Sequence, residues 1–100
     1  MDIKIVKNEE TVTITLTGRL DTITQETLAK ELETVFTGEK LSLVFDITTL
    51  DYISSAGLRV LLTAQKKVNA LGTAMKIVGA KPDIKEIFDM TGFSEIMTIE

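Results

Sequence analysis

Leu41-Ser42-Leu43-Val44-Phe45-Asp46-Ile47 is a short, almost unbroken apolar run, and its flanks decide the fold. Its length suits a strand better than a helix. Upstream, Leu28, Leu32, Val35 and Phe36 recur at i, i+4, i+7 and i+8, one stripe of a helix. That helix opens near Thr22, with Thr22 or Thr24 as N-cap, and Gly38 terminates it. Downstream, a second helix opens at Ser54-Ser55 with an inward stripe of Leu58, Leu61, Leu62, Val68 and Leu71, and Gly72 ends it. An apolar strand between two helices reads as a parallel strand covered on both faces.

Further outward, Ala74-Met75-Lys76-Ile77-Val78-Gly79 reads as another buried strand. Pro82-Asp83 starts a short helix carrying Ile84, Ile87 and Phe88, ended by Gly92. Ile96-Met97-Thr98-Ile99 forms a last edge strand. At the other end, Ile3, Ile5 and Val6 lead into the polar turn Asn8-Glu9-Glu10. Val12, Ile14 and Leu16 then alternate with Thr11, Thr13, Thr15 and Thr17, which makes a hairpin that Gly18 closes. The order β-β-α-β-α-β-α-β predicts one α/β domain over residues 1–100. Its sheet is mixed and mostly parallel, with an N-terminal antiparallel hairpin and three helices packed on it. Sites in such sheets lie where strand ends feed helix starts. Two junctions qualify: Gly18-Arg19-Leu20-Asp21 and Asp51-Tyr52-Ile53-Ser54-Ser55.

The 100 residues include no histidine, cysteine or tryptophan. Histidine-based triads, thiol nucleophiles, disulfides and thiolate zinc sites are therefore excluded. What remains is carboxylates, amines, guanidinium groups, hydroxyls and backbone amides, the equipment of a binding or switching module. A composition of 44% hydrophobic and 26% charged residues is that of an ordered globular chain. The net charge of −4 argues against nucleic acid and anionic membrane surfaces as partners. The N-terminus alternates at once and has no signal-peptide core, and no apolar run is long enough to span a bilayer. A cytoplasmic address is the expectation.

Residues 51–59, Asp51-Tyr52-Ile53-Ser54-Ser55-Ala56-Gly57-Leu58-Arg59, carry the candidate chemistry. If Ser54 is the N-cap, its hydroxyl is taken up by an amide two or three residues on. Ser55 then stands at the first helical position with its hydroxyl facing solvent. Gly57 costs about 1 kcal/mol against alanine inside a helix, so close approach of another backbone is expected there. An exposed serine at a helix start suits a phosphate, because free N–H groups and the positive dipole end favour an anion. Plain capping is the commoner reason for a Ser-Ser pair before an apolar helix. Asp21 also reads as a turn-forming or helix-start carboxylate, Arg59 as a solvated helix residue and Asp51 as a turn residue. Asp46 and Asp51 are too few for a metal site, and no cofactor is expected.

At its two junctions the sequence resembles the STAS-domain family, in particular the small bacterial anti-sigma-factor antagonists. Thr15-Leu16-Thr17-Gly18-Arg19-Leu20-Asp21 is similar to the family's L-x-G-x-L-D. Tyr52-Ile53-Ser54-Ser55-Ala56-Gly57-Leu58 is similar to its hydrophobic-D-S-[ST/A]-G-L. Ile87-Phe88-Asp89-Met90-Thr91-Gly92 resembles its L-F-x-x-[ST]-G-L. The three segments keep the family's order and spacing across the whole chain.

The resemblance implies that Ser55, with Ser54 as the alternative, is phosphorylated by an anti-sigma factor that is itself an ATP-dependent serine kinase. It implies that Asp21, Ser54, Ser55, Ala56, Gly57, Leu58 and Arg59 bind that partner. The unphosphorylated chain would bind the kinase and free a sigma factor, phosphorylation would break the complex, and a metal-dependent serine phosphatase would reset it. Ser54 departs from the pattern, since many members carry Asp there, and this bears on kinase choice rather than fold. A second role for such a domain is that of an accessory subunit of a lipid or anion transporter, bound at its cytoplasmic side. A catalyst is the third class. It would need a carboxylate pair or a Ser–Lys dyad, and Lys66 and Lys67 lie about three helical turns from Ser55, out of contact.

Overall fold

Strand β3 is longer than its apolar run. In the computed structural model, which describes residues 1–100, it spans Ser42–Ile53 where periodicity predicts 41–47. Its buried residues are Leu43, Phe45 and Ile47 at every second position, then Leu50 and Ile53 at every third. The change of step has a cause in the pairing with β2 (Thr11–Leu20). Thr15 faces Asp46 but Thr17 faces Thr49, and Gly18 faces Leu50 but Arg19 faces Tyr52. At each shift β3 carries one extra residue, a bulge that resets the pleat and returns the next apolar side chain to the core.

The first bulge is held by Asp46. Its Oδ1 accepts from the Thr48 amide at 3.1 Å and from the Thr48 hydroxyl at 2.6 Å. These bonds hold the Asp46 carboxyl below the usual carboxylate range, the hydroxyl contributing most. Across the strands, Thr17 and Thr49 share a hydroxyl–hydroxyl bond of 2.8 Å.

The remaining elements are β1 (Asp2–Asn8), α1 (Thr24–Val35), α2 (Ser55–Leu71), β4 (Met75–Val78), α3 (Pro82–Met90), α4 (Phe93–Ile96) and β5 (Thr98–Ile99). The sheet order is β1-β2-β3-β4-β5, with β1–β2 antiparallel and the other pairs parallel. Every crossover steps the same way, and right-handed crossovers in one direction put all helices on one face. Hence β3 is covered on one face only, contrary to the two-sided expectation: Ser42, Val44 and Asp46 stay half-exposed. The threonine face of β2 opens on the same side.

One cluster of 22 buried apolar residues joins this sheet face to the helices, so the chain has a single core. Leu28 and Leu32 anchor α1, and Leu58, Leu61 and Val68 anchor α2, as their spacing predicts. Leu62 and Leu71, expected inside, are half-buried.

Other boundaries also differ from the sequence reading. The hairpin strand β2 runs through Gly18 to Leu20 instead of closing there. Helix α1 ends at Val35, before Gly38, because Phe36 turns to an extended conformation and packs half-buried. A fourth helix, α4, replaces the start of the expected last strand, and the Met97 amide closes its turn onto the Phe93 carbonyl at 2.9 Å. Ile96 is consequently an exposed helix residue, and β5 is reduced to Thr98–Ile99.

Candidate functional site

Parallel pairing sets the two junctions side by side. Arg19 faces Tyr52, Leu20 faces Ile53, and the Ser54 amide donates to the Leu20 carbonyl at 2.9 Å. The second bulge brings Asp51 and Tyr52 to the surface just before the helix. Asp51, read from sequence as a turn residue, is therefore an exposed strand residue. It pairs with Lys81, which ties the β4–α3 connection to the same end of the sheet.

Ser54 caps α2 as its residue type predicts. Its backbone is extended, its hydroxyl accepts from the Gly57 amide at 3.1 Å, and its carbonyl accepts from the Leu58 amide at 2.9 Å. Ser55 is the first helical residue and is exposed. Its hydroxyl takes no part in the cap.

Gly57 meets the close approach expected of it, and the neighbour is the chain's own. A Cβ there would lie 2.7 Å from Leu20 Cγ, 3.0 Å from the Leu20 carbonyl oxygen and 3.1 Å from Ile53 Cγ1. Only a hydrogen at this position lets α2 begin flush against β2.

Asp21 organises the other junction. Its Oδ1 accepts from the amides of Ile23 at 3.0 Å and Thr24 at 2.9 Å. The start of α1 is thus secured by Asp21, three residues ahead of its first helical residue Thr24, and not by Thr22 or Thr24. Thr24 instead accepts from the Asp21 amide at 2.8 Å and donates to the Arg19 carbonyl at 2.7 Å.

The Thr24 amide bond is the main reason that the Asp21 carboxyl is held below the usual range. Partial desolvation opposes it, while the Thr24 hydroxyl, the Ile23 amide and Arg19 add to it. A carboxyl whose folded pKa is depressed contributes stability above its unfolded value near 3.9. That stability is lost as pH falls through the folded value. Below about pH 4, the melting temperature of the native chain is thus expected to fall more steeply with acid than that of Asp21→Asn. Asparagine retains the accepting oxygen but cannot ionise. Parallel acid limbs in thermal melts would remove Asp21 from the balance.

Sequence reasoning missed Arg19 and Tyr52 as partners. The Arg19 guanidinium lies 4.1 Å from the Tyr52 ring centroid, and its Nε is 4.0 Å from Asp21 Oδ2. Their contact follows from register, which no local pattern announces. Ile23 was missed as well. It is 81% exposed at the start of α1, an apolar side chain presented to solvent beside Asp21.

Of the seven expected partner-binding residues, Ser55 and Arg59 are exposed, and Asp21, Ser54 and Ala56 are half-exposed. Gly57 and Leu58 are buried and shape the surface from beneath. The end of the sheet therefore presents a free hydroxyl at a helix start, ringed by charges of both signs.

Three comparisons bear on this arrangement. The STAS-domain family model matches residues 2–100. A putative anti-sigma factor antagonist, BtrV of Bordetella bronchiseptica, is 33% identical over 84 residues, covering 84% of this chain and 72% of the relative. The anti-sigma-B factor antagonist of Listeria monocytogenes is 28% identical over 103 residues, covering 100% of this chain and 90% of that one. Among solved structures, the Bacillus cell-fate determinant SpoIIAA in its phosphorylated form shares the fold. Its TM-score is 0.78 at 21% identity, covering 99% of this chain and 91% of that chain. Sequence motifs at both junctions, sheet order and the family match agree, and the chain belongs to the STAS-domain family.

Proposed function

We propose that this chain is an anti-sigma-factor antagonist, a binding protein switched by phosphorylation of Ser55. Unphosphorylated, it binds an anti-sigma factor that is also an ATP-dependent serine kinase, and the sigma factor is released. The observation that carries this reading is the division of labour between the two serines. The Ser54 hydroxyl is committed to the Gly57 amide, while the Ser55 hydroxyl stands free at the first helical position. The relatives named above support the partner class. Both are named as antagonists, and this disfavours the transport-accessory role.

In the transfer step, Ser55 Oγ attacks the γ-phosphorus of ATP. The bond to the bridging oxygen breaks, ADP leaves, and the hydroxyl proton passes to a base of the kinase. A metal-dependent phosphatase returns the serine by hydrolysis. The chain supplies only the hydroxyl and the helix end that holds it, so the catalytic groups belong to its partners. No helix is long and apolar enough to cross a membrane. The reading puts the chain in the cytoplasm with its kinase.

The test is phosphoryl uptake from ATP in the presence of the cognate anti-sigma kinase, read by intact-mass spectrometry. The native chain and Ser54→Ala are expected to take up one phosphoryl group each, and Ser55→Ala none. Uptake by Ser55→Ala equal to that of the native chain would remove Ser55 from this role.

A further inference from the structure

The two junctions and the neighbouring β4–α3 connection carry three cationic side chains, and two of them are engaged. Arg19 stacks on Tyr52 beside Asp21, and Lys81 pairs with Asp51. Arg59 is exposed and takes part in none of the chain's four ion pairs. It sits four residues after Ser55 on α2, and residues at i and i+4 are neighbours on a helix surface. Direction adds to proximity. Helical side chains lean toward the N-terminus, so a residue covers the turn preceding its own Cα. The turn preceding Arg59 is the one that begins with Ser55.

We infer that Arg59 is the intramolecular receptor for the phosphoryl group on Ser55, holding it against α2 by a charge-assisted pair. This rests on Ser55 being the modified residue and concerns what the chain does with the phosphate afterwards. Five donors in a planar fork suit phosphate oxygens, and the pair forms without moving the backbone. The docking end then changes twice in one event. It gains about two negative charges, and its one unengaged guanidinium is withdrawn from any acidic group of a partner. Arg59 is a positioning residue in this sense and takes no part in the transfer itself.

The experiment needs no kinase. Phosphoserine is installed at position 55 during synthesis, and its second ionisation is followed by phosphorus NMR in the native chain, Arg59→Gln, Arg59→Lys and Arg19→Gln. The charged groups at this end of the sheet are Arg59 on α2, Asp21 and Arg19 at the β2–α1 junction, and Asp51 paired with Lys81. All but the substituted one are common to each comparison.

In the native background the second pKa is expected about half a unit below that of Arg59→Gln, a threefold difference in proton affinity. Arg59→Lys should restore part of the shift, Arg19→Gln should leave it, and 1 M salt should shrink it. Equal values for the native chain and Arg59→Gln would overturn the inference and leave the kinase assignment untouched. Conversely, a kinase that ignores Ser55 would undo the assignment without altering this titration. Ser55 and Arg59 are both exposed, so the variants keep the core that folds the chain.

Discussion

Ser55→Asp is expected to weaken binding of the anti-sigma kinase by about two powers of ten while leaving the fold intact. Two effects with opposite signs separate these outcomes. Within the chain, a carboxylate at the first position of α2 meets free amides and the positive end of the helix dipole, worth 0.3–1 kcal/mol in its favour. Across the interface, like charges 5 Å apart at an effective dielectric near 20 repel by about 3 kcal/mol, which is the hundredfold change.

The melting temperature of Ser55→Asp should therefore equal or slightly exceed that of the native chain. Its dissociation constant, measured by titration calorimetry, should rise steeply, and less so at high salt. Ser55→Ala should bind as the native chain does. Retained affinity in Ser55→Asp would show that charge at this position is not the switch.

The serine pair could be read from sequence because capping is local: the hydroxyl and the amide it accepts lie three residues apart. Gly57 was legible as an anomaly for the same reason, though its neighbour Leu20 is 37 positions away and emerged only with the sheet. The end of β3 was hidden. Its two bulges break the period of two at Thr48-Thr49 and again at Asp51-Tyr52, so a strand looked like a strand followed by a loop. Everything that depends on the true register was hidden with it, including Arg19 over Tyr52 and Lys81 on Asp51.

Asp21 is legible as a helix-start carboxylate, but residue type also allows the threonines nearer the helix, Thr22 and Thr24, as caps. The structure decides for Asp21 because its short side chain reaches two successive amides at once. The two-sided burial expected of β3 failed for a topological reason. A nearly continuous apolar run implies cover on both faces only when crossovers go both ways from the strand, and here they all step in one direction.

Gly79→Ala is expected to cost about 3 kcal/mol, lowering the melting temperature by roughly 12–24 °C for a domain of this size. Gly79 follows β4 with φ of +78°, a left-handed conformation that strains an alanine by about 1–2 kcal/mol. The added Cβ would also overlap the Thr48 hydroxyl and sit 3.1 Å from both Thr48 Cα and Cβ. Thr48 cannot simply turn away, because Asp46 Oδ1 holds its hydroxyl and its amide inside the first bulge of β3. Overpacking of this kind adds about 1–3 kcal/mol. The lower entropy of the unfolded alanine chain returns only 0.4–1.

Removing the obstructing hydroxyl tests the cause. If the clash matters, the double variant Gly79→Ala/Thr48→Ala should lose less stability than the sum of its parts by at least about 1 kcal/mol. Strict additivity would leave backbone strain as the whole effect, and a melting temperature within about 2 °C of native would refute both terms. Because this bulge begins the re-registration that delivers Asp51, Tyr52 and Ser54 to the rim, Gly79→Ala should also weaken kinase binding. It would do so with a lower melting temperature, the reverse of the signature expected for Ser55→Asp.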